Sequence, residues 1–154
     1  MPIYRKALPG DGDRVYTLIC GLEERPLPRD RFAAIYRQQL ADPHRILLVC
    51  EEDGQVIGIL TLRWEDQLHH AARIAEAMEF AIDPAYRGHG IGREMLTRIC
   101  QLAREAGCVQ IELATNQLRT DAHRFYYREG MHNFHFKFSK PLVGEDAAEN
   151  GIGR

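Results

Sequence analysis

Cysteine is scarce and scattered in this chain: Cys20, Cys50, Cys100 and Cys108 stand far apart, with no C-x-x-C pair. That spacing, at 154 residues, argues against a disulfide framework. Cys20, Cys50 and Cys100 lie among apolar neighbours, where a reduced thiol serves as a small hydrophobe. Charge of one sign is lacking too. A formal charge of −2 and a pI near 6.4 give no electrostatic case for nucleic acid or an anionic membrane surface. No run approaches the ~18 apolar residues of a membrane span, and MPIYRKALPGDGD lacks the apolar core of a signal peptide. The expectation is a soluble, cytoplasmic protein. Internal repeats and linkers are missing from residues 1 to 140, so residues 1–142 read as one domain, with a small, polar, acidic tail over 143–154 that is expected to be mobile. What is present supports a core: 45% of residues are hydrophobic and 27% charged, at a length that buries a sizeable interior.

The most informative stretch runs from Ala75 to Ile99. Ala77 to Ile82 reads as a mostly apolar strand that stops at Asp83-Pro84, where proline cannot donate to a ladder. Ile91, Met95, Ile99, Leu102 and Ala106 then recur at steps of three or four, the stripe of an amphipathic helix. Between them lies Arg87-Gly88-His89-Gly90-Ile91-Gly92. A glycine-rich turn at a helix N-terminus faces unpaired amides and the positive end of the helix dipole, and it lets the backbone approach a phosphate. A P-loop needs Gly-Lys-Ser/Thr after its glycines, and Ile91-Gly92-Arg93 follows instead. A dinucleotide fingerprint needs G-x-G-x-x-G, and this chain has G-x-G-x-G; Glu112, about 20 residues on, falls inside the next strand. A helix-opening turn without a ligand is the remaining alternative.

The pattern Arg-x-x-Gly-x-Gly on Arg87, Gly90 and Gly92, after a strand ending in Asp-Pro, resembles the pyrophosphate loop of the GCN5-related N-acetyltransferases. A second motif agrees. Ala122, Phe125, Tyr126 and Gly130 match that family's later A-x-x-φ-Tyr-x-x-x-Gly helix, in the family's order, and Asn116 at the end of the preceding strand also fits. The resemblance implies an α/β fold, a mixed and mainly antiparallel sheet that splays and is flanked by helices. It implies acetyl-CoA as cosubstrate and a small-molecule amine as acceptor. Backbone groups of Phe80, Ala81 and Ile82 would pair with the pantetheine amides like an added strand. Gly88, His89, Gly90, Ile91 and Gly92, with the Arg87 side chain, would hold the pyrophosphate, and Asn116 and Phe125 complete the cofactor set.

In chain order, Ile3 to Ala7 reads as a first strand, and Pro9 to Asp13 as a turn capping a helix from about Arg14 to Glu24. Asp30 is expected to cap a second helix, Arg31 to Leu40, with Phe32, Ile35, Tyr36 and Leu40 inward. Family resemblance places the acceptor pocket near Leu27 to Tyr36. Strands Arg45 to Glu51 and Gln55 to Trp64 are joined by Asp53-Gly54, a hairpin signal. After the glycine loop and its helix, which Ala106-Gly107 closes, come a strand Val109 to Asn116, a helix Asp121 to Glu129, and a last strand His132 to Ser139 alternating Phe134, Phe136 and Phe138.

Acetyl transfer to an amine needs a free lone pair, and an ammonium of pKa roughly 10 must first lose a proton to a base. Glu79, in the apolar context Met78-Glu79-Phe80-Ala81, is the first candidate, and Glu76 the alternative. Tyr126 is the candidate acid for the departing thiolate, by its place in the family's motif. Tyr127 diverges from it by about 100° around the helix and faces elsewhere. Cys108 as an acyl-accepting nucleophile is a weaker alternative, with no histidine placed beside it.

Leu68-His69-His70, Thr115-Asn116, the run Asp121 to Gly130, and His135-Phe136-Lys137-Phe138-Ser139-Lys140 together resemble one branch, the aminoalkylphosphonate N-acetyltransferases. A phosphonate acceptor implies cationic donors, for which Arg63, Arg119, Arg124 and Lys137 are available. The resembling enzymes are described as metal-assisted. His69, His70, His132 and His135 offer imidazoles for a divalent metal, but their spacing matches no standard zinc pattern, and no metal ligand is assigned. Asp30, Glu65 and Asp66 would instead suit a cationic acceptor such as a polyamine or an aminoglycoside, or the acceptor is an amino acid. A non-catalytic acetyl-CoA-binding module is the more distant alternative. A homodimer is an expectation by analogy, with the aromatic strand Phe134 to Phe138 as its edge.

Overall fold

Largely apolar runs build five strands: Ile3–Lys6 (β1), Arg45–Glu52 (β2), Gln55–Gln67 (β3), Ala72–Ile82 (β4) and Gln110–Leu113 (β5), with the central β2 and β3 buried on both faces. In the computed structural model, which describes residues 1–144, they form one sheet in the order β1-β2-β3-β4-β5. The first four are antiparallel neighbours, and β5 joins β4 in parallel. At the β2–β3 hairpin Asp53 and Gly54 take φ of 51° and 76°, the doubly left-handed turn that matches strand twist.

Helices Gly12–Glu23 (α1) and Arg29–Ala41 (α2) cover one face of the sheet. Val15, Leu18 and Ile19 of α1 and Tyr36 of α2 join Leu47, Val49, Ile59 and Ala81 in a single buried cluster. Helix Ile91–Glu105 (α3) supplies the opposite face with Ile91, Met95, Leu96, Ile99 and Ala103. Contact there is close: a Cβ on Gly58 of β3 would lie 3.0 Å from the Met95 sulfur. As expected, Ala106-Gly107 closes α3: Ala106 is its C-cap, Gly107 has φ of 88°, and the Cys108 amide donates to the Ala103 carbonyl.

Four expectations are corrected. α2 starts at Arg29, and its first helical bond runs from the Phe32 amide to the Pro28 carbonyl, so Asp30 sits in the first turn rather than at the cap. Ile35 is exposed on the outer side of α2. The last strand is absent: residues 131–144 belong to no ladder among the described residues. Alternation of Phe134, Phe136 and Phe138 satisfies the strand pattern, but a strand exists only with a partner, and the three rings are 80%, 82% and 92% exposed. β5 is also shorter than expected, its ladder ending at Leu113.

The chain forms two compact units, Met1–Leu113 and a second that starts at Ala114. The second holds helix Thr120–Arg128 (α4). The expected mobile tail falls, from residue 145 onward, outside the described residues.

Candidate active site

β4 carries one residue too many where it passes β3. Leu60 pairs with Phe80 and Leu62 with Ala77, so Thr61 alone faces both Met78 and Glu79. This two-against-one bulge re-aims the side chains that follow it. Glu79 and Ala81 share the face covered by α1, where Ala81 joins the buried cluster. The Thr61 hydroxyl accepts from the Glu79 amide at 3.0 Å and donates to Glu79 Oε2. On the same face, two residues further along β3, Arg63 donates to Glu76 Oε2 at 3.0 Å. Both candidate bases therefore lie on one surface, but in different company: Glu76 is held by a guanidinium, Glu79 by a neutral hydroxyl. Arg63 keeps a solvent-shielded Nε with no hydrogen-bond partner.

Past the bulge the sheet opens as expected. The β4–β5 ladder ends at Ala77 and Leu113, while β4 runs on to Ile82. The chain is then anchored before it enters the loop. The Asp83 amide donates to the Ile57 carbonyl at 2.8 Å, and its carboxylate accepts from the Ala85 amide at 3.0 Å and from Arg14 at 3.3 Å. Arg14 of α1 also donates to the Val56 carbonyl, so one side chain ties α1, β3 and the loop base together. The loop itself is open. Arg87, Gly88, His89 and Gly90 are all exposed, and Gly88 and Gly90 have φ of 82° and 78°, with no atom within 4 Å of where a Cβ would stand. α3 begins at once, with Gly90 at its N-cap and no side-chain cap. Left-handed glycines ahead of a helix start with no side-chain cap leave the first-turn amides of α3 without a side-chain acceptor, the kind of backbone that can receive an anion.

In the second unit, Tyr126 is half-buried and Tyr127 is 57% exposed, the division expected from the helix period. Burial pushes the Tyr126 phenol above its usual value, against a smaller opposing pull from Arg119; it stays protonated at neutral pH. Phe125 and Tyr126 meet edge to face at 5.5 Å. Asn116 forms a local turn: its side chain accepts from the Leu118 amide and its carbonyl faces His123 Nε2.

Other candidates are less engaged. Cys108 is 9% exposed, and burial raises its thiol above the usual value, which lowers the thiolate fraction a nucleophile needs. Among the described residues no group of three or more His, Cys, Asp or Glu side chains is placed to hold a metal. His69 and His70 lie ring to ring at 4.2 Å, with His70 Nδ1 facing Gln67, and His132 stacks on Phe134. A cavity of about 310 Å³ at the end of α2, lined by Lys6, Leu40, Asp42, Arg45, Leu47 and Trp64, contains none of the expected site residues. No helix of the described residues is long and apolar enough to cross a membrane.

The profile of the acetyltransferase (GNAT) family matches residues 13–131. The chain belongs to this family. An aminoalkylphosphonate N-acetyltransferase of Salmonella typhimurium is 40% identical over 144 residues, covering 92% of this chain and 94% of that protein. Among solved structures, a transcriptional regulator from Bacillus halodurans superposes with a TM-score of 0.85 at 22% identity, over 92% of this chain and 100% of that one. An aminoglycoside N-acetyltransferase, AAC(6')-Iy, solved in complex with CoA, superposes with a TM-score of 0.83 at 14% identity, over 93% and 96%; at such identity the likeness is one of fold.

For this GNAT acetyltransferase, the sequence nominates the glycine loop, Glu76, Glu79 and Tyr126 as candidates, and leaves Thr61 and Arg14, which bond to Glu79 and Asp83, unnamed. Thr61 left a signal, a single hydroxyl inside the apolar run Val56 to Leu62. Arg14 left none, because its partners Asp83 and Val56 are distant in sequence.

Proposed function

We propose that this acetyltransferase acetylates the primary amine of a small aminoalkylphosphonate, by direct attack in a ternary complex. The observation that carries the reading is the bulged face of β3 and β4, which sets the Glu79 carboxylate on the same surface as the Arg63–Glu76 ion pair. Acetyl-CoA supplies the activated thioester. Backbone groups of Phe80, Ala81 and Ile82 bind its pantetheine arm, and Arg87 with the amides from Gly88 to Gly92 holds its pyrophosphate; Asn116 and Phe125 belong to the same set. Glu79 takes a proton from the substrate ammonium, and Tyr126 gives one to the departing thiolate. Residues 1–142 act as one acetyltransferase domain, a reading supported by a family match that runs across both units.

Arg63 is suited to the phosphonate. It lies two residues from Thr61 on the same face of β3, and a phosphonate would take the place of Glu76 on its guanidinium. The Salmonella relative supports the same acceptor class. The reading extends to a homodimer through the exposed rings of Phe134, Phe136 and Phe138, to be checked by sedimentation.

The deciding experiment is a steady-state screen of CoA thiol release with aminoethylphosphonate and aminomethylphosphonate against spermidine, an aminoglycoside and amino acids, with and without chelator. Preference for the phosphonates is expected, and Arg63→Gln should raise the phosphonate KM by about tenfold or more, since a charged hydrogen bond is worth ~1.5–3 kcal/mol. Preference for spermidine would overturn the acceptor assignment. If no amine is acetylated while acetyl-CoA still binds, a non-catalytic module replaces the enzyme reading.

A further inference from the structure

Thr61, 5% exposed, carries a hydroxyl into an otherwise apolar buried run of β3. A buried hydroxyl is costly unless its hydrogen bonds are made. Here both known bonds go to a single residue, with Oγ1 accepting from the Glu79 amide at 3.0 Å and its hydrogen directed to Glu79 Oε2. The bulge explains the first. With two β4 residues opposite one of β3, an amide in the bulge loses its regular ladder acceptor, and the threonine oxygen replaces it. The second is not needed for folding, because a carboxylate this close to the sheet edge can be solvated. Threonine is also stiff at χ1, so its hydroxyl is a fixed pointer rather than a mobile one.

We infer that Thr61 is a positioning residue for acetyl transfer: it clamps the Glu79 carboxylate against its own backbone and presents Oε1 to the acceptor amine. One oxygen is occupied by the threonine hydrogen, which stays on Oγ1. The other receives the proton leaving the ammonium nitrogen, whose lone pair is thereby freed. This inference rests on the reading of Glu79 as the base.

The test uses the full chain with Thr61→Val, Thr61→Ser, Glu79→Gln and the double variant Thr61→Val/Glu79→Gln, with aminoethylphosphonate and spermidine as acceptors. Thr61→Val keeps shape and removes the hydroxyl; kcat should fall about tenfold or more, the scale of a small misplacement of a reacting group, with the KM for acetyl-CoA within about twofold. Thr61→Ser should restore kcat to within about threefold, and Thr61→Val should add little on top of Glu79→Gln, as expected of residues that act as a unit. If Glu79→Gln lowers kcat and Thr61→Val does not, the positioning role is overturned and the base stands. If Glu79→Gln has no effect, the base assignment itself falls and takes the positioning role with it. NMR provides a readout that needs no acceptor: the Glu79 amide proton should shift in Thr61→Val and hold its position in Thr61→Ser, and an unmoved signal in Thr61→Val overturns the clamp.

Discussion

Glu76 and Glu79 stand three residues apart on β4 and point to the same face of the sheet. Strict alternation would set them on opposite faces. The extra residue opposite Thr61 reverses the parity, and their partners confirm it: Arg63 and Thr61, two apart on β3, bond to Glu76 and Glu79 respectively. One bulge thus gathers two carboxylates, a guanidinium and a hydroxyl on one surface.

The two glutamates should separate cleanly in kinetics. Glu79→Gln is expected to lower kcat by about 100-fold or more, the usual worth of a general base, while Glu76→Gln changes kcat by less than about threefold. Glu76 is committed to Arg63, and the pair, with side chains 38% and 27% exposed, contributes at most about 1 kcal/mol to stability. Steady-state rates at saturating acceptor check this. Equal losses would remove the distinction.

Gly90→Asp should leave the fold standing and weaken acetyl-CoA binding by at least about tenfold, because it sets a carboxylate where a pyrophosphate is to lie. The left-handed φ of 78° costs a non-glycine residue about 1–2 kcal/mol, and nothing stands within 4 Å of the new Cβ. Calorimetry and a thermal melt are read together; unchanged affinity would sink the loop assignment.

Tyr126→Phe is expected to cut kcat by about tenfold or more, and Tyr127→Phe to be silent. The contrast follows from their exposure and from the upward shift of the Tyr126 phenol by burial, which keeps its proton available through neutral pH. Parallel rate measurements on the two variants decide it.

Asp11 gives a pH signature unrelated to catalysis. The Arg5 guanidinium, at 2.8 and 3.0 Å, holds its carboxyl below the usual value, helped by the Leu8 amide and opposed by desolvation. A lowered folded value means that the stabilisation is full above the unfolded pKa of roughly 3.9 and is lost as pH falls through the folded value. Asp11→Asn should therefore cost about 1–2 kcal/mol at pH 7, and its deficit should shrink as pH drops below about 4. Urea melts at several pH values measure it; a constant deficit would mean that the pair does not titrate with unfolding.

Much of this protein was readable from local pattern. Apolar runs between turn signals and period-3.6 spacing located β1 to β5 and all four helices to within a few residues at most ends, β4 beginning five residues earlier than Ala77, and Asp53-Gly54 and Gly107 announced turns that only left-handed residues make. The turn from Arg87 to Gly92 was legible because the left-handed backbone at Gly88 and Gly90 calls for glycine. Helix geometry said only that Tyr126 and Tyr127 face different ways; the preference for Tyr126 came from its place in the family's motif. What sequence alone could not decide depends on partners distant along the chain. Phe134 to Phe138 carries a strand's alternation but no ladder, since pairing is a property of two segments and not of one. The bulge opposite Thr61 is a register shift, visible only when β3 and β4 are laid side by side. It alone determines which way Glu76 and Glu79 point and that Thr61, a single hydroxyl in an apolar run, reaches the carboxylate.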